Sequence, residues 1–198
     1  MFGHTHIPLK QFPRFFPVIT SLMIVHTICY LMLLFHSGSL SGGELVVQYG
    51  AVEGWRIQSG DWWRVLTAIF LHTSVFSYLL GLFFLYVLGP QLEWLLGKIF
   101  FLIIYVFSGM LTYIIIYITG MEGIYFGSLG AVYGIFGVYL YLFVRKAIHP
   151  QFGLAILILT ILNLIVDYPL TGVYVLSVLA GFVLALLFLQ FRRPDSDS

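Results

Sequence analysis

Six apolar stretches with almost no charge constrain the fold of this chain more than any other feature of its sequence. Hydrophobic residues make up 61% of the 198 positions and charged residues only 9%, whereas a soluble domain carries roughly 25% charged residues. A helix needs about 20 predominantly apolar residues to cross a bilayer. The sequence therefore predicts six transmembrane helices, over residues 18–35, 66–88, 99–118, 128–144, 152–166 and 172–191.

The expected fold class is an all-α integral membrane bundle of six transmembrane helices with a large interfacial first loop. No long linker interrupts residues 18–191, which are expected to form one membrane domain. A cytoplasmic segment, 1–17, precedes this domain, and a polar tail, 192–198, is expected to be disordered. The net charge of +1 does not indicate a nucleic-acid partner, and the single cysteine, Cys29, cannot form an internal disulfide. We expect no cofactor and no metal.

The distribution of basic residues predicts the orientation of the chain in the membrane. If all six helices cross, Arg56 and Arg64 lie on one side of the membrane. The other seven of the nine lysines and arginines then share the opposite side: Lys10, Arg14, Lys98, Arg145, Lys146, Arg192 and Arg193. Cytoplasmic loops carry an excess of Lys and Arg, so both termini are predicted to be cytoplasmic. The cell membrane is the expected location, with the lipid bilayer as one partner.

The connection between the first two predicted helices, residues 36–63, is unusually long and rich in tryptophan. Most connections are only a few residues long, and a longer one is either functional or unstructured. Trp55, Trp62 and Trp63 favour the headgroup level of the membrane, where one end of an aromatic ring is apolar and the other wet. We therefore interpret this connection as a structured element at the membrane surface.

Small residues recur at helical spacing in three of the predicted helices. In the sequence GSLGAVYGIFG, residues 127–137, three glycines lie along one side of the fourth helix, which lets a neighbouring backbone come close. Taken alone, such a face is more typical of ordinary helix packing than of a functional site. The sixth helix carries Ser177, Gly181 and Ala185 at intervals of four, and is expected to contact the glycines of the fourth. In the third helix Ser108, Gly109 and Thr112 form a similar face.

Three polar side chains interrupt the apolar stretches. His72 is expected about two turns inside the second helix, where an ionisable group is costly and faces protein or water. It either bonds a carbonyl as a neutral ring or has a functional role. Glu93 is expected to cap a helix or brace a loop, and Asn163 to form a hydrogen bond between helices.

Four motifs in this order resemble the rhomboid family of intramembrane serine proteases, over residues 49–188. The first loop contains the Trp63–Arg64 pair, and the segment GPQLEWLLGK resembles the glycine–glutamate–glycine signature at Glu93 and Gly97. GSLGAVYGIFG resembles the nucleophile motif GASGAxxGLxG, and LSVLAGF resembles the small-residue run of the last helix. The family positions matched by glycines in these last two motifs are Gly127, Gly130, Gly134 and Gly181.

The resemblance implies a serine nucleophile in the fourth helix and a histidine base in the sixth, with nearby donors for the oxyanion. This sequence departs from the family at each of these places. Leu129 stands at the nucleophile position and Tyr174 at the base position. In the second helix the resemblance implies His, His and Asn, and the chain has His72, Ser77 and Gly81 there. Two oxyanion donors are therefore missing, and the resemblance points to a catalytically degenerate member, a pseudoprotease.

A neighbouring serine offers an alternative reading. Ser128 precedes the nucleophile position by one residue, so on a helix its side chain points about 100° away. His72 is the one intramembrane imidazole available to it in the outer half, because the phenol of Tyr174 is a poor base at neutral pH. The alternative is an active protease with a rearranged site formed by Ser128 and His72. The more ordinary role for Ser128 is the N-cap of the fourth helix.

Three functions follow from these observations. The first is a rhomboid-like protein, lacking peptidase activity, that binds transmembrane segments of client membrane proteins and affects their folding or degradation. The resemblance places the access route for a client near the second and fifth helices. The second is the rearranged protease. The third is a structural subunit or a small-molecule channel, and the scarcity of charge deep in the helices argues against ion transport.

Overall fold

The computed structural model describes residues 10–37 and 45–191, and this part of the chain is helical. The long helices are α1 (Pro17–Ser37), α2 (Val75–Leu96), α3 (Lys98–Ile118), α4 (Leu129–Val144), α5 (Pro150–Val166) and α6 (Thr171–Phe191). Residues 1–9, most of the predicted cytoplasmic segment, lie outside the described residues, as do Arg192, Arg193 and the rest of the predicted tail.

Within the described residues, four helices are both long and apolar enough to cross a membrane: α1, α2, α3 and α6. Helices α4 and α5 are apolar but shorter, with 16 and 17 residues. The chain is therefore an all-helical membrane bundle, and a full count of six spans remains a prediction for α4 and α5. The predicted orientation depends on the same count.

The second helix begins later than its apolar pattern predicts. The apolar pattern predicts a span over residues 66–88, but α2 starts at Val75, where the Ser74 hydroxyl accepts a hydrogen bond from the Ser77 amide at 3.1 Å. Before this cap the chain forms two short helical turns, Arg64–Thr67 and Ala68–Phe70. Hydropathy could not show the break, because the residues on both sides of it are apolar. His72 consequently precedes α2 rather than lying two turns inside it.

Helix α4 lies at the centre of the bundle, with most of its side chains buried against α3, α5 and α6. Its contact with α6 brings backbones together, since a Cβ atom at Gly181 would overlap the Gly134 carbonyl oxygen. Likewise, a Cβ atom at Gly137 would overlap the Val178 carbonyl oxygen. The expected close contact between the fourth and sixth helices is confirmed.

The glycines of α4 allow close contact with two helices, α3 as well as α6. A Cβ atom at Gly130 would overlap the Thr112 side chain of α3, and one at Gly134 would overlap the Ser108 side chain. The expected small-residue face of the third helix therefore packs on α4. Because glycines three and four positions apart sit at different angles around a helix, α3 and α6 can each approach α4 closely from their own side.

Glu93 fixes the beginning of α1 to the end of α2. It is buried, and its two carboxylate oxygens accept hydrogen bonds from the backbone amides of Val18 (3.1 Å) and Ile19 (3.0 Å). These amides have no partner within the first turn of a helix, and a carboxylate also suits the positive end of the helix dipole. The capping role expected for Glu93 is confirmed. Four residues later Gly97, with φ +81°, makes the tight turn into α3.

The first loop is built around Arg64. This buried side chain donates to the carbonyl oxygens of Val47 (2.6 Å) and Ala51 (3.1 Å) and to the carboxylate of Asp61 (2.9 Å). The hydrogen bond from the Arg64 guanidinium lowers the pKa of the Asp61 carboxyl. The described part of the loop, residues 45–63, is structured as expected.

A short backbone pairing connects the first loop to the segment that precedes α4. Val52 and Tyr125 exchange both backbone hydrogen bonds, at 2.8 and 2.9 Å. Two residues after Tyr125, Gly127 adopts φ +108° and its amide bonds the Ala68 carbonyl at 2.8 Å. The loop therefore helps to place the first residues of α4.

Candidate functional site

A cluster of buried polar side chains lies where α1, α2, α3, the start of α4 and the segment before α2 meet. Its members are no more than 3% exposed: His26, His72, Tyr105 and Ser128. Isolated polar groups are costly in such surroundings unless they bond one another. We call these four side chains the polar cluster.

Three members of the polar cluster form a chain of hydrogen bonds. His26 Nδ1 lies 3.1 Å from His72 Nε2, and His26 Nε2 lies 2.8 Å from the Tyr105 hydroxyl. Each bond needs one donor and one acceptor, so a neutral His26 accepts from one partner and donates to the other, whereas a protonated His26 donates to both. In either case at least one ring is neutral and His72 Nε2 is occupied. The partner of His72 Nε2 is thus a second imidazole and not the carbonyl that one of the two interpretations of His72 expected.

Ser128 joins this cluster through the space left by a glycine in α2. A Cβ atom at Gly81 would lie 2.8 Å from Ser128 Oγ and 3.3 Å from His72 Cε1, so both side chains border the space in front of Gly81. The Ser128 side chain also interacts with Tyr105. Ser128 precedes the first residue of α4, as an N-cap does, but its side chain makes no capping hydrogen bond.

Leu129, at the expected nucleophile position, is the first residue of α4, and Tyr174, at the expected base position, lies in α6. Tyr133 follows Leu129 by one helical turn and therefore lies on the same side of the helix. Its ring stacks on the buried ring of Tyr174, with centroids 4.6 Å apart and an angle of 24°. The Tyr133 hydroxyl donates to Asp167 Oδ2 at 2.6 Å. Leu129 and Tyr133 of α4 thus share a side of the helix, and Tyr174 of α6 and Asp167 at the end of α5 contact that side through Tyr133.

The two degenerate oxyanion positions differ in their surroundings. The hydroxyl of Ser77 bonds within the cap of α2, donating to the Ser74 carbonyl and accepting from the Ser74 hydroxyl, each at 3.0 Å. Gly81 faces the polar cluster but has no side chain to donate from. Neither position supplies a donor beside Ser128.

Sequence reasoning missed several members of these two groups. His26, Tyr105, Tyr133 and Asp167 were not among the candidates. His26 had a usable signal, because a histidine inside an apolar stretch is costly wherever it stands. The expected hydrogen bond of Asn163 between helices is also wrong, since its amide donates to the Leu159 carbonyl of the same helix at 2.8 Å. In the described part of the chain no three His, Cys, Asp or Glu side chains are placed to hold a metal ion.

Comparison with known proteins agrees with the sequence motifs. Residues 59–193 match the family model described as the rhomboid domain. YdcA of Bacillus subtilis, a rhomboid homologue, is 29% identical over 193 residues, which cover 93% of this chain and 94% of YdcA. The rhomboid protease GluP of Bacillus subtilis is 32% identical over 154 residues, which cover 75% of this chain but only 29% of GluP.

Proposed function

The chain belongs to the rhomboid family, and from this premise we propose that it is a membrane-embedded pseudoprotease. It binds transmembrane segments of client membrane proteins and influences their folding or degradation without cleaving them. The observation that carries the proposal is that Leu129 and Tyr174 occupy the two positions where the family's chemistry requires a serine and a histidine.

The loss of both groups removes hydrolysis for a simple chemical reason. Peptide cleavage by the serine-protease mechanism needs a hydroxyl activated by an adjacent base, and an aliphatic carbon cannot attack a carbonyl. In a serine protease, loss of the nucleophile or the base alone lowers kcat by roughly 10⁶-fold. Tyr174 stacks on Tyr133, one turn beyond Leu129, which is consistent with the two substituted positions facing each other.

The surface between α2 and α5 is the proposed client site. Helix α5 packs on α4 and lightly on α6, and its contact with α2 is marginal at most within the described residues. Large apolar side chains of both helices point outward, including Phe76 of α2 at 76% exposure and Leu162 of α5 at 55%. A client helix between them would exchange lipid for protein contacts, so shape and polar groups would decide binding rather than hydrophobicity.

Photocrosslinking tests client binding directly. We expect a photoreactive residue at Phe76 or Leu162 to capture single-span membrane proteins in cells. The control position is Phe107 of α3, which is also outward-facing, at 48% exposure. Capture of lipid alone at all three positions, or equal protein capture at Phe107, would contradict a client site between α2 and α5.

A second candidate function, a protease using Ser128 and His72, is favoured by their placement on either side of Gly81. Against it, His72 Nε2 is occupied by His26. The Ser77 hydroxyl bonds within the cap of α2, and Gly81 has no side chain to donate from. We expect the purified protein in detergent neither to react with a fluorophosphonate nor to cleave a transmembrane substrate. Labelling or cleavage that disappears in Ser128→Ala but persists in Ser77→Ala would establish the second function instead.

A further inference from the structure

Contacts between the helices show which of their ends lie together. The start of α1 lies at the end of α2, because Glu93 accepts hydrogen bonds from the first amides of α1. The later half of α4 reaches the same part of α2, where the Tyr139 hydroxyl donates to the Leu88 carbonyl at 2.7 Å. Phe100, near the start of α3, stacks on Phe188, near the end of α6, with centroids 3.7 Å apart. The starts of α1, α3 and α5 therefore share one end of the bundle with the ends of α2, α4 and α6.

The basic side chains of the described residues concentrate at this end. Two precede α1, one begins α3, and two follow α4 directly, and all of them are exposed to the surroundings of the protein. They are Lys10, Arg14, Lys98, Arg145 and Lys146. We call this surface the basic end.

The carboxylates lie almost entirely at the opposite end. Within residues 10–37 and 45–191, four of them fall in the connections from α1 to α2, α3 to α4 and α5 to α6: Glu53, Asp61, Glu122 and Asp167. Both ion pairs found in these residues are there too, and they involve Arg56 and Arg64. Glu93 is at the basic end, but it is buried and its two oxygens bond the start of α1. The basic end therefore has no carboxylate partner in the described part of the chain.

Exposed apolar side chains adjoin one of these cations. Trp94, in the last turn of α2, is 76% exposed, and Ile99, next to Lys98, is 77% exposed. Tryptophan favours the headgroup level of a bilayer, and a lysine near a helix end extends its ammonium toward the phosphates. Trp94 and Lys98 thus offer apolar contact and a positive charge at the depth where a phospholipid headgroup begins.

We propose that the basic end binds anionic phospholipids, whose phosphate groups supply the negative charge that this end of the bundle lacks. Each lysine or arginine near an anionic membrane surface strengthens the attraction roughly fivefold. An acidic protein segment would satisfy the cations as well, but it would not explain the exposed apolar surface of Trp94 and Ile99. The inference is independent of client binding and of peptidase activity.

Tryptophan fluorescence tests lipid binding at this place. Trp94 is the one tryptophan at the basic end, since Trp55, Trp62 and Trp63 belong to the first loop. Bromine on a lipid chain quenches an indole that it touches, and the difference between wild type and Trp94→Phe isolates the Trp94 signal. In vesicles of phosphatidylcholine at low salt, we expect brominated phosphatidylglycerol to bind beside Trp94 roughly fivefold more strongly than brominated phosphatidylcholine. The preference should disappear near about 1 M salt, where the Debye length is only about 3 Å.

Two charge variants provide the matched comparison. Lys98→Gln should lower the preference roughly fivefold, whereas Arg56→Gln, at the opposite end, should leave it unchanged. The tryptophans that remain in Trp94→Phe should show no preference for the anionic lipid. Equal binding of the two lipids at Trp94, a preference that survives both Lys98→Gln and high salt, or the same preference at the loop tryptophans would overturn the proposal. Equal binding of the lipids together with binding of a polyglutamate peptide that Lys98→Gln weakens would assign the basic end to an acidic protein segment instead.

Discussion

Replacing Gly181 with alanine is expected to destabilise the protein by about 3 kcal/mol or more. A Cβ atom there would overlap the Gly134 carbonyl oxygen. Because that oxygen belongs to the backbone, no side-chain rotation can relieve the overlap. Helices α4 and α6 would have to separate. Overpacking that shifts backbone costs about 1–3 kcal/mol and occasionally more, and this contact lies at the centre of the bundle. The loss should be visible as a lowered midpoint when the detergent-solubilised protein is unfolded with a denaturing detergent.

Gly172→Ala is the matched control for this prediction. Gly172 lies in the same helix, and no atom lies within 4 Å of the position that its Cβ would occupy. Exchanging glycine for alanine in a helix otherwise stabilises by up to about 1 kcal/mol. We therefore expect opposite signs for the two substitutions. Equal midpoints for Gly181→Ala and Gly172→Ala would show that the helices are not packed as closely as their backbones indicate.

The sequence predicted the long helices wherever an apolar stretch ends at a polar or glycine signal. The end of α3 at Ile118 and the end of α4 at Val144 agree with the pattern, because a glycine-rich loop and two basic residues follow them. The start of α2 could not be found in this way. Its cap, Ser74 with Ser77, lies inside a stretch whose average remains apolar, so only hydrogen-bond geometry separates the short turns from the helix.

Contacts between residues that are far apart in the sequence were harder to predict than the role of a single residue. A capping role for Glu93 follows from its type and position, but its partners at Val18 and Ile19 lie on the preceding long helix. In the same way His72 was singled out correctly as buried polarity, while its partner His26 went unnoticed. The degenerate positions Leu129 and Tyr174 came from resemblance alone and remain predictions about chemistry.

Replacing Arg64 with alanine is expected to lower the free energy of unfolding by about 3–5 kcal/mol. The guanidinium is buried and holds two loop carbonyls, of Val47 and Ala51, together with Asp61. Removing a buried charged donor leaves its acceptors unsatisfied, which is more costly than losing a neutral hydrogen bond. Arg64→Lys should fall between wild type and alanine, since an ammonium cannot match the planar fork of a guanidinium.

Arg56→Ala provides a close control, because both arginines bond an acidic side chain three residues earlier and cover a preceding tryptophan ring. Arg56 is more exposed and bonds Glu53 at the surface, where such a pair contributes at most about 1 kcal/mol. Three of the four tryptophans, Trp55, Trp62 and Trp63, lie beside these residues, so intrinsic fluorescence reports the order of the loop. If Arg56→Ala cost as much stability as Arg64→Ala, surface charge rather than the buried bonds to the loop would explain the effect. Because the loop pairs through Val52 with Tyr125, just before α4, we also expect Arg64→Ala to loosen the segment that positions Ser128.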